Sequence, residues 1–278
     1  MVMTEFFAAP RAQSATPRDA LQAPLFDYVL RLADSGLILA QRLGEWAGRA
    51  PILEEDIALT NVGLDLLGQA RLWFAYAGEI EAGMRGTGRT EDELAFLRDG
   101  SAFRNLLLVE QPNGSYADTM ARQFYFDHWH LLLLRALSSS SDPRIAAIAE
   151  KAALEATYHV ERSTGWVIRL GDGTPLSRAR MQAAIDSLWM YTGEMFEPDG
   201  IDSALADVGA APALRALREP WLASVRDALD QATLALPAGT WMQGGGGRGG
   251  KQGVHTEHLG HLLAQMQFLQ RAYPGAQW

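Results

Sequence analysis

Residues 143–170 read PRIAAIAEKAALEATYHVERSTGWVIRL, and their pattern indicates the fold class. Its apolar residues recur three or four positions apart, which is the spacing of one face of an α-helix. Asp142 is a suitable N-cap, and Pro143 suits the first helical position. The predicted inward line consists of Ile148, Ala152, Glu155, His159, Ser163, Trp166 and Leu170. The stretch therefore predicts a long helix with a polar pair, Glu155 and His159, on its apolar stripe.

Helical periodicity continues on both sides of this stretch, whereas alternating runs bounded by hairpin turns are missing. Further helices are predicted at about 24–46, 52–79, 116–137, 176–196, 213–235 and 256–272, with a short helix from Glu91. Four long helices with short connections predict an all-α fold, a four-helix bundle with additional C-terminal helices. We expect residues 1–20 to be a disordered leader and residues 21–278 to form one helical domain.

The composition excludes several classes of protein. The 278 residues include no Cys, so disulfides, thiolate nucleophiles and iron–sulfur clusters are excluded. A formal charge of −9 without a basic run argues against a nucleic-acid partner. No apolar run is long enough to span a bilayer, and no signal peptide is recognisable. We therefore expect a cytoplasmic protein whose metal ligands, if any, are Asp, Glu and His.

Each of the four long helices carries an acidic side chain near its middle, on or beside the inward stripe. These residues are Asp34, Asp65, Asp127 and Glu155. A charge among core residues is informative, because a buried charge needs a partner. Carboxylate-bridged di-iron bundles follow a related plan, with one Glu on each of two helices and a Glu-x-x-His pair on each of the other two.

The spacing does not complete that plan, because no Glu-x-x-His occurs in the chain. Asp65 is followed three residues later by a glycine, which cannot ligate a metal. Glu155 precedes His159 by four residues instead of three. The only acid-x-x-His pair joins Asp127 to His130, which lies about 60° off the inward stripe. At best, four carboxylates and one well-placed imidazole face the centre of the bundle.

Two interpretations of these residues remain open. The first is a buried ion-pair or hydrogen-bond cluster, in which Arg42, Arg71 and Arg162 are possible partners. The second is a working metal centre with Asp34, Asp65, Asp127, Glu155 and His159 as ligands. Structural networks also bury charge, so the residues alone favour the first interpretation.

Other features suggest contacts with a partner or a ligand. The glycine tract at 244–250 carries Arg248 and is followed by Lys251, so this loop could meet an anionic ligand or a partner. Aromatic residues are enriched at interface cores, which makes one predicted helix the first candidate for a buried interface. Its aromatic residues are Trp189, Tyr191 and Phe196.

Histidines cluster at two places. The C-terminal histidines are His255, His258 and His261. Their spacing predicts a solvated or interface helix face, the second interface candidate, in preference to a metal site. His128, beside Asp127, is predicted to be hydrogen-bonded in the core or at an interface.

Several segments resemble the C subunits of ring-1,2-phenylacetyl-CoA epoxidases, bacterial multicomponent oxygenases of phenylacetate degradation. They are residues 51–61 (PILEEDIALTN), 63–71 (GLDLLGQAR), 158–159 (YH), 166–174 (WVIRLGDGT) and 253–261 (GVHTEHLGH). The resemblance covers about residue 25 to the C-terminus and implies a ferritin-like helical fold. It also implies a non-catalytic subunit that supports a homologous catalytic A subunit, which holds the di-iron centre and binds phenylacetyl-CoA.

On this resemblance, Asp34, Asp65, Asp127, Glu155 and His159 are a vestigial set resembling a metal site, and this subunit binds no cofactor. The implied partners are the A subunit and the other oxygenase and reductase subunits. Two alternatives stay open. One is a divergent di-iron oxygenase acting on its own, and the other is a helical binding module with an apolar ligand pocket.

Overall fold

The computed structural model describes residues 17–239 and 249–276, and within them it contains ten α-helices and no strand. The long helices are α1 (Pro17–Gly44), α2 (Leu53–Arg85), α4 (Tyr116–Leu137) and α5 (Pro143–Gly171). The shorter helices are α3 (Glu91–Phe96), α6 (Pro175–Trp189), α7 (Gly200–Asp207), α8 (Arg218–Gln231), α9 (Glu257–Met266) and α10 (Phe268–Ala272). None of these helices is long and apolar enough to cross a bilayer.

The four long helices form the bundle that the sequence predicts. Helix α1 packs along α2, and α4 packs along α5, while α6 and α8 cover the outer side of α4 and α5. The fully buried side chains include Leu37, Trp73, Phe74, Phe124 and Tyr125. These residues come from α1, α2 and α4, so one continuous apolar core joins the bundle. The prediction of an all-α bundle with additional C-terminal helices is confirmed.

Helix α5 begins at the predicted residue because its cap is encoded locally. The Asp142 carboxylate accepts hydrogen bonds from the backbone N–H groups of Arg144 and Ile145, at 2.9 and 3.0 Å. Pro143 occupies the first turn, where a backbone N–H has no helical partner. A side-chain cap and a proline therefore define this helix start without help from the rest of the fold.

Other predicted boundaries were wrong. Helix α1 begins at Pro17 and runs through Pro24, so it starts inside the predicted leader, whose residues 1–16 lie outside the described part of the chain. Helix α7 was not predicted, although its N-cap Asp199 accepts from the backbone N–H groups of Ile201 and Asp202 at 3.0 Å each. The apolar period over eight residues is too short to stand out without that cap.

The C-terminal helix also differs from its prediction. It is interrupted at Gln267, between α9 and α10. The Gln267 amide is buried and donates to the carbonyl oxygens of Ala95 and Arg98, at 3.1 and 3.0 Å. These partners lie far away in sequence, so the interruption follows from tertiary contacts.

The aromatic group proposed as an interface lies inside the chain. Trp189 and Phe196 are buried, with their rings 5.8 and 5.1 Å from the ring of Trp221 on α8. The Trp189 indole N–H donates to the carbonyl of Gly239 at 3.0 Å. The expectation that this group faces a partner was wrong, because α8 of the same chain covers it, and only Tyr191 is half-buried.

Candidate functional site

Two of the four predicted carboxylates lie close to the predicted histidine, Asp127 inside the bundle and Asp65 at its solvent-exposed side. His159 Nε2 lies 3.0 Å from Asp65 Oδ2, which joins α5 to α2. Asp127 of α4 is buried close to His159. Burial raises the pKa of Asp127 to about 6, against the opposing effects of His159 and Ser163. The inward stripes predicted from the sequence are thus correct for Asp127 and His159, and Asp65 lies at the edge of the apolar face of α2, with 38% of its side chain exposed.

Asp34 does not join this group, because a cation neutralises it elsewhere. The Arg98 guanidinium donates to both carboxylate oxygens, with a distance of 3.0 Å from Nη1 to Oδ2. The backbone N–H of Arg104 donates to the same oxygen at 2.8 Å. Both members of the Asp34–Arg98 ion pair are almost fully buried. A metal would have to displace this guanidinium before it could use Asp34.

Glu155 is also separated from the centre. Its Oε2 accepts a hydrogen bond from Gln69 Nε2 of α2 at 2.8 Å, and its side chain is half-buried. Gln69 was not identified from the sequence. It lies four residues after Asp65, on the same side of α2, so helical spacing was the available signal.

The arginines considered as partners for these acids have other roles. Arg42 donates to the backbone carbonyl of Glu110, and Arg71 pairs with Glu91 at the surface. Arg162 contacts Glu55 and the Tyr116 hydroxyl. The acids do form ion pairs and hydrogen bonds, as predicted. Their partners include Arg98 for Asp34 and Gln69 for Glu155, and not the three arginines considered from the sequence.

The described donors do not fit a di-iron centre. Two hard ions need several anionic oxygens and imidazoles that face one cavity. Here Asp34 is neutralised by Arg98, and Glu155 is bound to Gln69 at the edge of the bundle. Within residues 17–239 and 249–276, no three His, Asp or Glu side chains are placed to hold one metal ion. The expectation that this chain carries no cofactor stays a prediction.

The two histidines beside Asp127 on α4 stay uncharged near neutral pH. Burial lowers the pKa of His128 to about 4 and that of His130 to about 3. His128 bonds to the hydroxyls of Thr164 and Ser224 at 2.8 and 3.0 Å, which confirms its predicted place in a hydrogen-bonded core. Neither ring therefore places a positive charge next to Asp127.

Lys251 was expected to meet a ligand or a partner, but it is buried and paired within the chain. Its ammonium is buried and donates to Asp202 Oδ2 at 2.8 Å and to the carbonyl of Glu197 at 2.6 Å. Asp202 also accepts from Arg31 at 2.9 Å. This network ties the segment after the glycine tract to α7 and α1, so Lys251 does not point towards solvent. Arg248 lies outside the described residues.

The C-terminal histidines do not share one helix face. His255 precedes α9, and its ring lies 3.0 Å from Glu110 Oε2 and 3.1 Å from the Phe103 carbonyl. His258 is half-buried, and His261 is exposed. The prediction of a surface helix face therefore holds for His261, whereas tertiary contacts hold His255 inside the chain.

Comparison with known proteins shows the family of this chain. Residues 4–278 match a family model described as "Phenylacetic acid catabolic protein". The chain belongs to this family. It is 53% identical over 251 residues to the C subunit of the 1,2-phenylacetyl-CoA epoxidase of Escherichia coli (strain K12), covering 90% of this chain and 98% of that relative.

Membership of the phenylacetic acid catabolic protein family confirms two expectations. The resemblance to epoxidase C subunits, seen in the sequence segments, is correct. The helical bundle is of the ferritin-like kind that the resemblance implied, with no strand in its described residues. The family thus places the incomplete set of acids and histidine in a fold that also supports metal chemistry.

Proposed function

We propose that this chain is a non-catalytic structural subunit of a phenylacetyl-CoA epoxidase. In this role it supports a homologous di-iron A subunit during aerobic phenylacetate catabolism. The observation that carries the proposal is the Asp34–Arg98 ion pair, since it neutralises one acid of the metal-like set inside a chain 53% identical to an epoxidase C subunit.

The remaining acids of the set support the same conclusion. Asp65 and Glu155 each bond to a side chain of this protein, and Asp127 is a buried acid with a raised pKa. A fold retained without an assembled set of ligands suits a supporting role. The iron, the oxygen chemistry and phenylacetyl-CoA binding then belong to the A subunit, and electrons come from the reductase subunit. We further propose that the complex acts in the cytoplasm.

The alternative function is a divergent di-iron oxygenase that acts without a partner. It would need Arg98 to leave Asp34 and Glu155 to leave Gln69, so that both acids could turn towards His159. Both changes would leave buried polar groups, those of Arg98 and Gln69, without partners, which is costly. The described contacts therefore favour the supporting role.

Metal content and single-turnover activity distinguish these functions. The chain and the A subunit of the same organism are purified separately and together, then supplied with iron, reductant, oxygen and phenylacetyl-CoA. We expect little iron in the chain alone and product only in samples that contain the A subunit. About two irons per chain, lost on Asp65→Asn, together with product from the chain alone, would overturn the proposal.

A further inference from the structure

Helices α2 and α5 are joined by polar contacts along most of their length. They run antiparallel, and four side-chain pairs, here called the rungs, connect them. The rungs are Glu55–Arg162, Asp65–His159, Gln69–Glu155 and Tyr76–Asp142. Apolar side chains hold α1 to α2 and α4 to α5. The α2–α5 side of the bundle therefore differs from the sides that are closed by apolar packing.

A groove of about 540 Å³ lies between the two helices at the middle rungs. Its floor includes Asp65, Gln69 and Glu155, and Leu64 lies on its α2 side. Asp65 keeps 38% of its side chain exposed although it contacts buried His159. The groove therefore brings solvent directly to the polar side chains of the rungs.

Large apolar side chains stand exposed on both helices that border this groove, and Leu64 also lines it. Leu64 on α2 is 60% exposed, and Leu154 and Tyr158 on the outward side of α5 are 77% and 51% exposed. Two further apolar residues, Leu53 and Ile57, continue the exposed line of α2. Exposed apolar residues on both helices that border one groove are compatible with a protein interaction surface.

Gly68 gives the groove room for a close neighbour. It is exposed in the interior of α2, and an added Cβ there would meet no atom within 4 Å. Glycine inside a helix is destabilising relative to alanine, and the packing of this chain does not require it. Close approach of another backbone is a physical reason for a glycine at this position.

The floor of the groove offers mainly hydrogen-bond acceptors. Asp65 and Glu155 supply carboxylate oxygens, and the buried Gln69 Oε1 has no partner among the described residues. Of the two cations at the edge, Arg71 is paired with Glu91, and Lys151 is exposed. A Lys or Arg entering from outside would match this floor in charge and in hydrogen-bonding capacity.

We propose that the α2–α5 groove receives a helix of the catalytic A subunit. This helix contacts Leu64, Leu154 and Tyr158 through apolar side chains and directs one Lys or Arg towards Asp65, Glu155 and Gln69. A groove with an acidic floor, between two helices that carry exposed apolar residues, suits an amphipathic helix, and the small surface at Gly68 permits close packing. The proposal rests on the proposed function, because it takes the A subunit as the partner.

Single-cysteine labelling tests this surface, since the natural chain contains no Cys. Leu64→Cys and Leu154→Cys place a thiol on each of the two helices that border the groove, and Leu176→Cys places the control on α6, where Leu176 is 61% exposed. Maleimide labelling is timed with and without the purified A subunit. We expect the A subunit to slow labelling at both groove sites by about tenfold or more, as for a buried interface core, and to leave Leu176→Cys unchanged.

Affinity measurements provide the second test. Leu154→Glu should weaken binding of the A subunit about tenfold or more, because it puts a charge into an apolar contact, whereas the control Leu176→Glu should bind like the natural chain. If the A subunit binds but leaves the labelling rates of Leu64→Cys and Leu154→Cys unchanged, the groove proposal is overturned and the proposed function is not. Protection of those cysteines by concentrating this chain without the A subunit would also overturn it. Failure of the natural chain to bind the A subunit would instead reject the proposed function.

Discussion

The interior of the bundle and the α2–α5 groove both contain acidic side chains, but water reaches only the groove. In the interior, Asp34 is fully buried against Arg98, and Asp127 has a raised pKa because it is buried with weak compensation. In the groove, Asp65 and Glu155 bond to neutral or weakly basic groups and remain partly exposed. Acids that share one sequence pattern thus differ in energy: in the interior each charge depends on pairing or carries a burial penalty, whereas in the groove water solvates it.

Breaking the interior ion pair should have the largest effect. Arg98→Met leaves the Asp34 carboxylate buried without its cation, so we expect a loss of roughly 3–5 kcal/mol in the free energy of unfolding. The matched control is Arg71→Met, because Arg71 pairs with Glu91 while 66% exposed. That exposed pair should contribute little, because solvent screens it. Urea unfolding followed by circular dichroism measures both, and equal losses would contradict the comparison.

Asp127 should make stability fall as pH rises. Its pKa is raised from 3.8 to about 6 on folding, so the folded state binds more protons between these values. The penalty is absent below pH 3.8, grows as pH rises through about 6, and is complete above that pH.

Removing the charge should reverse this penalty. Asp127→Asn should be more stable than the natural chain at pH 7 by about 1–3 kcal/mol, a difference that vanishes near pH 4. Unfolding free energies between pH 4 and 7 check the expectation, with exposed Glu150→Gln as control. A constant difference across this range would show that Asp127 is not the titrating group.

Gly68→Ala should separate stability from recognition. The substitution removes backbone entropy from the unfolded chain in a helix with open space around the site, so it should add about 0.5–1 kcal/mol of stability. Gly260→Ala on α9 is the matched control, because its added Cβ also meets no atom within 4 Å. Both variants should gain in thermal stability, but only Gly68→Ala should bind the A subunit more weakly. Equal binding by the two variants contradicts a close approach at Gly68.

Glu155→Gln should have the smallest effect on the isolated chain. The residue is half-buried at the groove, and an amide can still accept from Gln69, so we expect less than about 0.5 kcal/mol of change in unfolding. Binding of the A subunit should weaken and lose part of its salt dependence, because the substitution removes one negative charge from the floor of the groove. Exposed Glu219→Gln on α8 serves as the control. Unchanged salt dependence for Glu155→Gln would argue against a cation at this floor.

Predictions from the sequence were correct where apolar residues recur with helical periodicity or where the sequence encodes an N-cap. The inward placement of Asp127 and His159 followed from helical spacing, and the start of α5 followed from Asp142. Arg98 was missed because it lies 64 residues after Asp34, in a connection with no regular period. The aromatic group at Trp189 was misplaced for a similar reason, since Trp221 on a later helix covers it.

The all-α fold, the inward acids and the lack of a Glu-x-x-His pair follow from the sequence alone, because these properties depend on spacing within single helices. The tertiary structure sets which groups pair with these and other acids. It placed Arg98 on Asp34, Gln69 on Glu155, and Lys251 on Asp202. Burial and pairing depend on residues distant in the chain, so the energy of each charge is defined only when the helices pack together.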